Sequence, residues 1–155
     1  MKNIITKSEA QTLALGKKLA GRLKGGESIA LVGDLGAGKT VLARGLARGL
    51  GIKNIINSPT FVLMKVYKIK NLKLSAQGRP ASGWKIKNLI HVDAYRLDSG
   101  QCLIDIGILD WLGRKDSVVL IEWAERVKKI LPKKAIKIRI KFGKKENLRI
   151  FTIYS

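Results

Sequence analysis

The run Gly33-Asp34-Leu35-Gly36-Ala37-Gly38-Lys39-Thr40 carries the clearest chemistry in the chain. Its glycines let successive backbone N–H groups turn inward around an anion. A helix opening directly after them adds the positive end of its dipole. Lys39 stands where an ammonium group reaches the outer phosphates of a nucleotide, and the Thr40 hydroxyl stands where it can ligate a hard cation such as Mg²⁺. Hydrolysis at such a loop also needs an acid at the end of a neighbouring strand and a group that places the attacking water. Asp93 follows the apolar run "NLIHV" and Glu122 follows "VVLI", and both would sit on the sheet edge where open α/β folds bind ligands. Asp34 and Asp105 have no such placement. The residues alone do not divide the metal-side and hydrolytic roles between Asp93 and Glu122.

The elements that position these residues are legible from periodicity. Ile29-Ala30-Leu31-Val32 reads as a strand covered on both faces, and a helix from about Lys39 to Leu50 is closed by Gly51. Ahead of them, Ser8 and Gln11 fit a capping box, and Leu15, Leu19 and Leu23 recur every four residues up to Gly25-Gly26, which predicts a helix over that span. "TFVLMKVYKIK" reads as extended. A short helix is expected from Leu103 to Leu112, then the buried strand "SVVLIEW", then a β-hairpin in "AIKIRIKFGKKENLRIFTIY". Helices and strands alternate early and strands dominate late, which predicts an α/β fold with a mixed β-sheet flanked by helices.

A length of 155 residues with 46% hydrophobic composition predicts one domain, 1–155. No run approaches the ~20 apolar residues of a membrane span, and the N-terminus lacks a signal-peptide pattern, so the expectation is a cytoplasmic protein. The lone Cys102 has no internal disulfide partner and reads as a small, at least half-buried residue. Trp123 reads as core filler and His91 as a packed side chain.

The net charge of +20 is unevenly spread. Acids gather between residues 93 and 126, whereas residues 127–155 hold ten basic side chains and one acid. Such a field attracts nucleotides and nucleic acid alike, although solvated lysine-rich faces produce the same excess without a partner. Lys65, Lys68, Lys70, Lys73, Lys85 and Lys87 flank the turn signal "SAQGRPASG", which predicts a Lys-rich hairpin at about 65–90. Most of its ammonium groups would share one face, opposite Tyr67, Ile69, Trp84 and Ile86. That ribbon suits a tRNA backbone or an acidic partner, or simply blunts a sheet edge.

Four motifs in order, "GDLGAGKT", "NSPTFVLM", "HVDAYRL" and "IEWAER" followed by "LP", make the chain resemble the TsaE family, the small P-loop ATPase of bacterial tRNA threonylcarbamoyladenosine biosynthesis. The leading segment "TKSEAQTLALGKKLA" is also similar to that family, so the resemblance spans nearly the whole chain. It implies a P-loop NTPase-like fold that binds and hydrolyses ATP with Mg²⁺. It also implies work with TsaB and TsaD in modifying the adenosine next to the anticodon of tRNAs reading codons that begin with adenine. The resemblance implies that the modifying chemistry belongs to TsaD; for this chain the expectation is indirect or weak contact with tRNA and no membrane. Carried over, Leu35, Gly36, Ala37, Gly38, Lys39 and Thr40 would bind the phosphates, Thr40 and Glu122 would serve Mg²⁺, and Lys39 and Asp93 would act in hydrolysis. Ser58, Pro59 and Thr60 would form a switch-like segment, and Glu9 and Gly143 would flank the base or ribose. The family's second Thr after the loop is Val41 here, and the stretch from Tyr67 to His91 is longer than in most relatives. A nucleic-acid-binding P-loop ATPase and a small-molecule kinase are the alternative readings. The first lacks aromatics interleaved with its basic runs, and the second lacks an Arg-rich lid.

Overall fold

The computed structural model describes residues 1–53, 56–69 and 86–154. Seven strands form one mixed sheet: β1 (Lys2–Thr6), β2 (Ser28–Val32), β3 (Met64–Lys68), β4 (Asn88–Asp93), β5 (Ser117–Glu122), β6 (Ile136–Phe142) and β7 (Arg149–Tyr154). Their spatial order is β1-β7-β6-β2-β5-β4-β3. The central strands β6, β2, β5 and β4 run parallel, and β1, β7 and β3 are antiparallel to their neighbours. The parallel centre brings the C-terminal ends of β2, β4 and β5 to one edge, which places Asp93 directly beside Glu122.

Alternation along the central strands explains why both faces are dry. Ile29, Leu31, Leu89, Val118 and Leu120 enter the core under helices α1 (Glu9–Ala20) and α2 (Lys39–Gly49). Ala30, Ile90, Val92, Val119 and Ile121 enter a second core on the opposite face. There they meet α3 (Gln101–Asp105) and two 3-10 helices, Ile108–Asp110 and Ala124–Ile130. Truncating a buried leucine such as Leu31 to Ala would cost about 2–5 kcal/mol. Helices α1 and α2 approach closely because small residues face each other. A Cβ on Gly16 would lie 2.5 Å from the Leu42 carbonyl oxygen, and one on Gly45 would run into the Leu13 backbone.

Several local expectations hold and several do not. Ser8 caps α1 by accepting from the Gln11 amide, and the Gln11 side chain accepts from Lys7 N–H, one residue before the cap. The helix ends at Ala20 rather than near Gly25, because the Gly21 amide closes it on Lys17 and Leu19, yet Leu23 is still buried. β1 was not anticipated: its five residues have little pattern of their own and are held by pairing with β7, remote in sequence. Extended structure begins only at Met64, since residues 60–63 turn, with Leu63 at φ 60°. The expected 103–112 helix is divided into α3 and a 3-10 turn, with Gly107 at φ 86° between them. Cys102 is exposed on α3.

The β6–β7 hairpin pairs Lys137 with Tyr154 through Phe142 with Arg149. β3 and β4 pair antiparallel, from Met64 with Val92 to Lys68 with Asn88. Lys70, Lys73, Trp84 and Lys85 lie outside the described residues. Lys65 does not share a face with Lys68; it lies on the side of Tyr67, its ammonium 5.4 Å from that ring, because an odd-numbered spacing reverses faces on a strand. No helix among the described residues is long and apolar enough to cross a membrane.

Candidate active site

β2 delivers the chain into the glycine loop. At Gly33 a Cβ would collide with the Ile140 carbonyl of β6, so only glycine fits as the strand leaves the sheet. Gly38 then takes φ 103° as the N-cap of α2, a left-handed conformation that a side chain disfavours. Leu35 at the tip is exposed, whereas Ala37 is fully buried and anchors the loop to the core beneath.

Lys39 is buried, and its Nζ donates to the carbonyl oxygens of Gly33 (2.6 Å) and Asp34 (2.8 Å). Burial lowers its pKa below the usual lysine value, while the charges of Glu122, Glu125, Asp93 and Asp34 oppose that shift. The same ammonium sits 3.6 Å from the centre of the Trp123 ring. Trp123 takes a left-handed backbone conformation, φ 58°, immediately after β5. Such a conformation is uncommon for a bulky residue and carries a conformational cost. The indole lies over the loop lysine, so Trp123, half-buried against the second core as expected, is also a wall of the site.

Two acids complete the arrangement. Thr40 Oγ1 donates to Glu122 Oε2 at 2.9 Å, while Glu122 Oε1 lies 2.8 Å from His91 Nε2. Glu122 and His91 are both buried. Asp93 accepts through Oδ2 from the hydroxyls of Ser58 and Thr60, the latter at 2.6 Å, and through Oδ1 from the Tyr95 amide at 2.9 Å. The segment around Ser58 is therefore tied to the end of β4 by side chains about 35 positions apart in sequence. These groups surround a cavity of about 380 Å³ that Gly36, Gly38, Lys39 and Thr40 line on one side and Asp93 and Glu122 on the other.

A second cavity of about 260 Å³ lies on the far side of the loop. Gly36, Gly38 and Val41 line both, so the two adjoin the same glycine loop. Glu9 and Ser8 from the start of α1 and Asn147 and Arg149 from the β6–β7 hairpin form its outer walls. Arg149 spans the gap, donating to the Gly36 carbonyl oxygen at 3.4 Å and stacking 4.5 Å from the Phe142 ring centre. Gly143 does not line either cavity; its amide closes the turn on Leu148, and that turn carries Asn147 and Arg149 to the site. Asn147 and Arg149 were missed because the hairpin's position beside the loop is a tertiary fact. His91 was missed although period-two spacing puts it on the face of Asp93.

Among the described residues no three His, Cys, Asp or Glu side chains converge as a metal cage. A hydroxyl and a carboxylate 2.9 Å apart form the hard oxygen pair suited to Mg²⁺, which takes its remaining ligands from water and phosphates.

A parallel-centred sheet whose strand ends meet a glycine loop, a buried lysine and two acids defines a nucleotide-binding P-loop protein. The model described as Threonylcarbamoyl adenosine biosynthesis protein TsaE matches residues 6–150, and the chain belongs to the TsaE family. It is 39% identical over 126 residues to the tRNA threonylcarbamoyladenosine biosynthesis protein TsaE of Streptomyces coelicolor, covering 81% of this chain and 76% of that protein. To the protein of the same name in Bacillus subtilis it is 37% identical, covering 88% and 75%. The crystal structure of Bacillus subtilis YdiB superposes with a TM-score of 0.74 at 30% identity, covering 98% of this chain and 83% of that one.

Proposed function

We propose that this chain is a Mg²⁺-dependent ATPase that acts with TsaB and TsaD in the cytoplasm. Its turnover would serve threonylcarbamoylation of the adenosine next to the anticodon in tRNAs reading codons that start with adenine, and would be weak without those partners. The observation that carries the reading is the cavity in which Lys39 and Thr40 face Asp93 and Glu122 across about 380 Å³.

In this reading Lys39 holds the outer phosphates, and the loop amides from Leu35 to Thr40 donate to the remaining phosphate oxygens. Thr40 and Glu122 would hold Mg²⁺, which when bound neutralises charge on the β- and γ-phosphates. His91 occupies one oxygen of Glu122 and so leaves the other directed at Thr40. Asp93 would orient the attacking water, its carboxylate steadied by Ser58, Thr60 and the Tyr95 amide. Trp123 and Tyr95, with ring centres 4.9 Å apart, shield the lysine side of the cavity. Glu9, Asn147 and Arg149 would face the ribose and base from the second cavity.

The test is ATP turnover across a Mg²⁺ titration, alone and with TsaB and TsaD. Glu122→Gln is expected to raise the Mg²⁺ concentration needed for half-maximal rate, because a neutral amide is a poorer ligand for a hard cation. Unchanged Mg²⁺ dependence would remove Glu122 from the metal site. Absence of ATP turnover in the presence of both partners would overturn the reading as a whole.

A further inference from the structure

The sheet is covered on both faces at its centre but not at the β6–β7–β1 end. There the face that looks away from α1 and α2 is set by register. Lys137 lies beside Tyr154, Arg139 beside Thr152, and Lys141 beside Ile150; across β7, Asn3 pairs with Thr152 and Ile5 with Ile150. Thr152 and Ile150 are half-buried and the other residues are exposed, with Ile5 at 59%. Among the described residues no acid shares this face, and neither an ion pair nor a side-chain hydrogen bond engages Lys137, Arg139 or Lys141.

Blunting of an edge does not explain these cations, because β6 is an interior strand between β2 and β7. Successive same-face residues on a strand lie about 6.5–7 Å apart, so the three positive groups repel one another without a counterion. Their spacing is comparable to that of phosphates along an extended nucleic acid strand, and the flanking rows supply the other chemistry such a strand needs. Tyr154 presents a ring on which a base can stack, Ile5 and Ile150 present flat apolar area, and Thr152 and Asn3 present hydrogen-bonding groups. Strand register, not adjacency in sequence, brings Tyr154 beside these cations.

We propose that the open face of β6, β7 and β1 binds a single-stranded RNA segment, with phosphates on Lys137, Arg139 and Lys141 and a base on Tyr154. This goes beyond the ATPase reading, since an ATPase acting only through protein partners needs no RNA-facing surface. RNA rather than DNA is chosen because the proposed pathway modifies RNA, and to that extent the inference rests on that reading.

The experiment uses the full chain and a fluorescent ten-nucleotide oligouridylate, with anisotropy measured across a salt series. Neutralising the platform as Lys137→Gln, Arg139→Gln and Lys141→Gln removes three phosphate contacts. Affinity is expected to fall about 100-fold at 0.1 M salt, with the slope of log K against log salt shallower by about 2. The control Lys17→Gln, Lys18→Gln and Lys53→Gln removes the same charge elsewhere and is expected to stay within about threefold, since exposed charges beyond the Debye length of about 10 Å are screened. ATP binding retained in both variants reports an intact fold and separates this result from failure of the ATPase reading. The proposal is overturned if the intact protein does not bind the RNA at low salt, if both variants lose affinity equally, or if polyglutamate displaces the RNA at equal charge concentration. That last outcome would make the face a site for an acidic protein.

Discussion

Charges in two regions of the same sheet are handled in opposite ways. Where β4 and β5 end, Asp93 and Glu122 are buried and every carboxylate oxygen has a partner: Ser58, Thr60 and the Tyr95 amide for one, Thr40 and His91 for the other. On the outer face of β6, Lys137, Arg139 and Lys141 are exposed and unpaired among the described residues. The first arrangement is what desolvation demands, because an unpaired buried charge costs several kcal/mol. The second is tolerated because water screens it, so its lack of counterions costs little and leaves it ready for an anionic partner. Burial therefore decides whether a charge here is structural and chemical together, or free to recruit.

The contrast is sharpest at Lys39, among the described residues the one buried cation that faces the cavity. Lys39→Ala removes the ammonium poised over the phosphate loop and is expected to lower ATP turnover roughly 1,000-fold, as seen when a preorganised charge-stabilising donor is lost. Steady-state phosphate release checks it, and near-normal turnover would mean that the buried edge is not the catalytic one. Asp93→Asn keeps the shape and its hydroxyl donors; it is expected to lower turnover about 100-fold while ATP affinity stays within a few-fold. Loss of affinity in place of turnover would assign Asp93 to binding instead of hydrolysis.

Stability discriminates next. His91→Leu deletes the partner of Glu122 Oε1 inside the core and is expected to cost about 1–3 kcal/mol in urea unfolding. His91→Gln, which can still donate, should recover part of that loss. A leucine variant as stable as the parent would show that Glu122 does not depend on this bond. On the outer face the smallest change is expected: Arg139→Gln should move unfolding free energy by less than about 0.5 kcal/mol, since it removes an exposed group with no ion partner among the described residues. A large loss there would mean that the cation is structural after all, and the contrast between the two regions would fail.

The glycine loop, its strand and its helix were legible because each depends on neighbours within ten or so residues: apolar run, glycines, then helical spacing. The same holds for the Ser8 cap and for the β6–β7 hairpin, whose turn residues and alternation are local. Placement of Asp93 and Glu122 at strand ends was also readable, because each closes an apolar run of its own. β1 and the division of the 103–112 helix were not, the one because its pairing partner is the C-terminal strand, the other because Gly107 adopts a left-handed turn inside an otherwise helical pattern.

What the sequence determined by itself is thus the chemistry of the loop and the identity of the two acids, since spacing along the chain suffices to state both. Tertiary structure alone decided that His91 holds Glu122, that Trp123 turns over Lys39, and that Asn147 and Arg149 reach the second cavity. It alone aligned the cations of β6 with Tyr154 and Ile5. These depend on which strands become neighbours and in what register, and register is set by burial across the whole sheet, which no local window of residues contains.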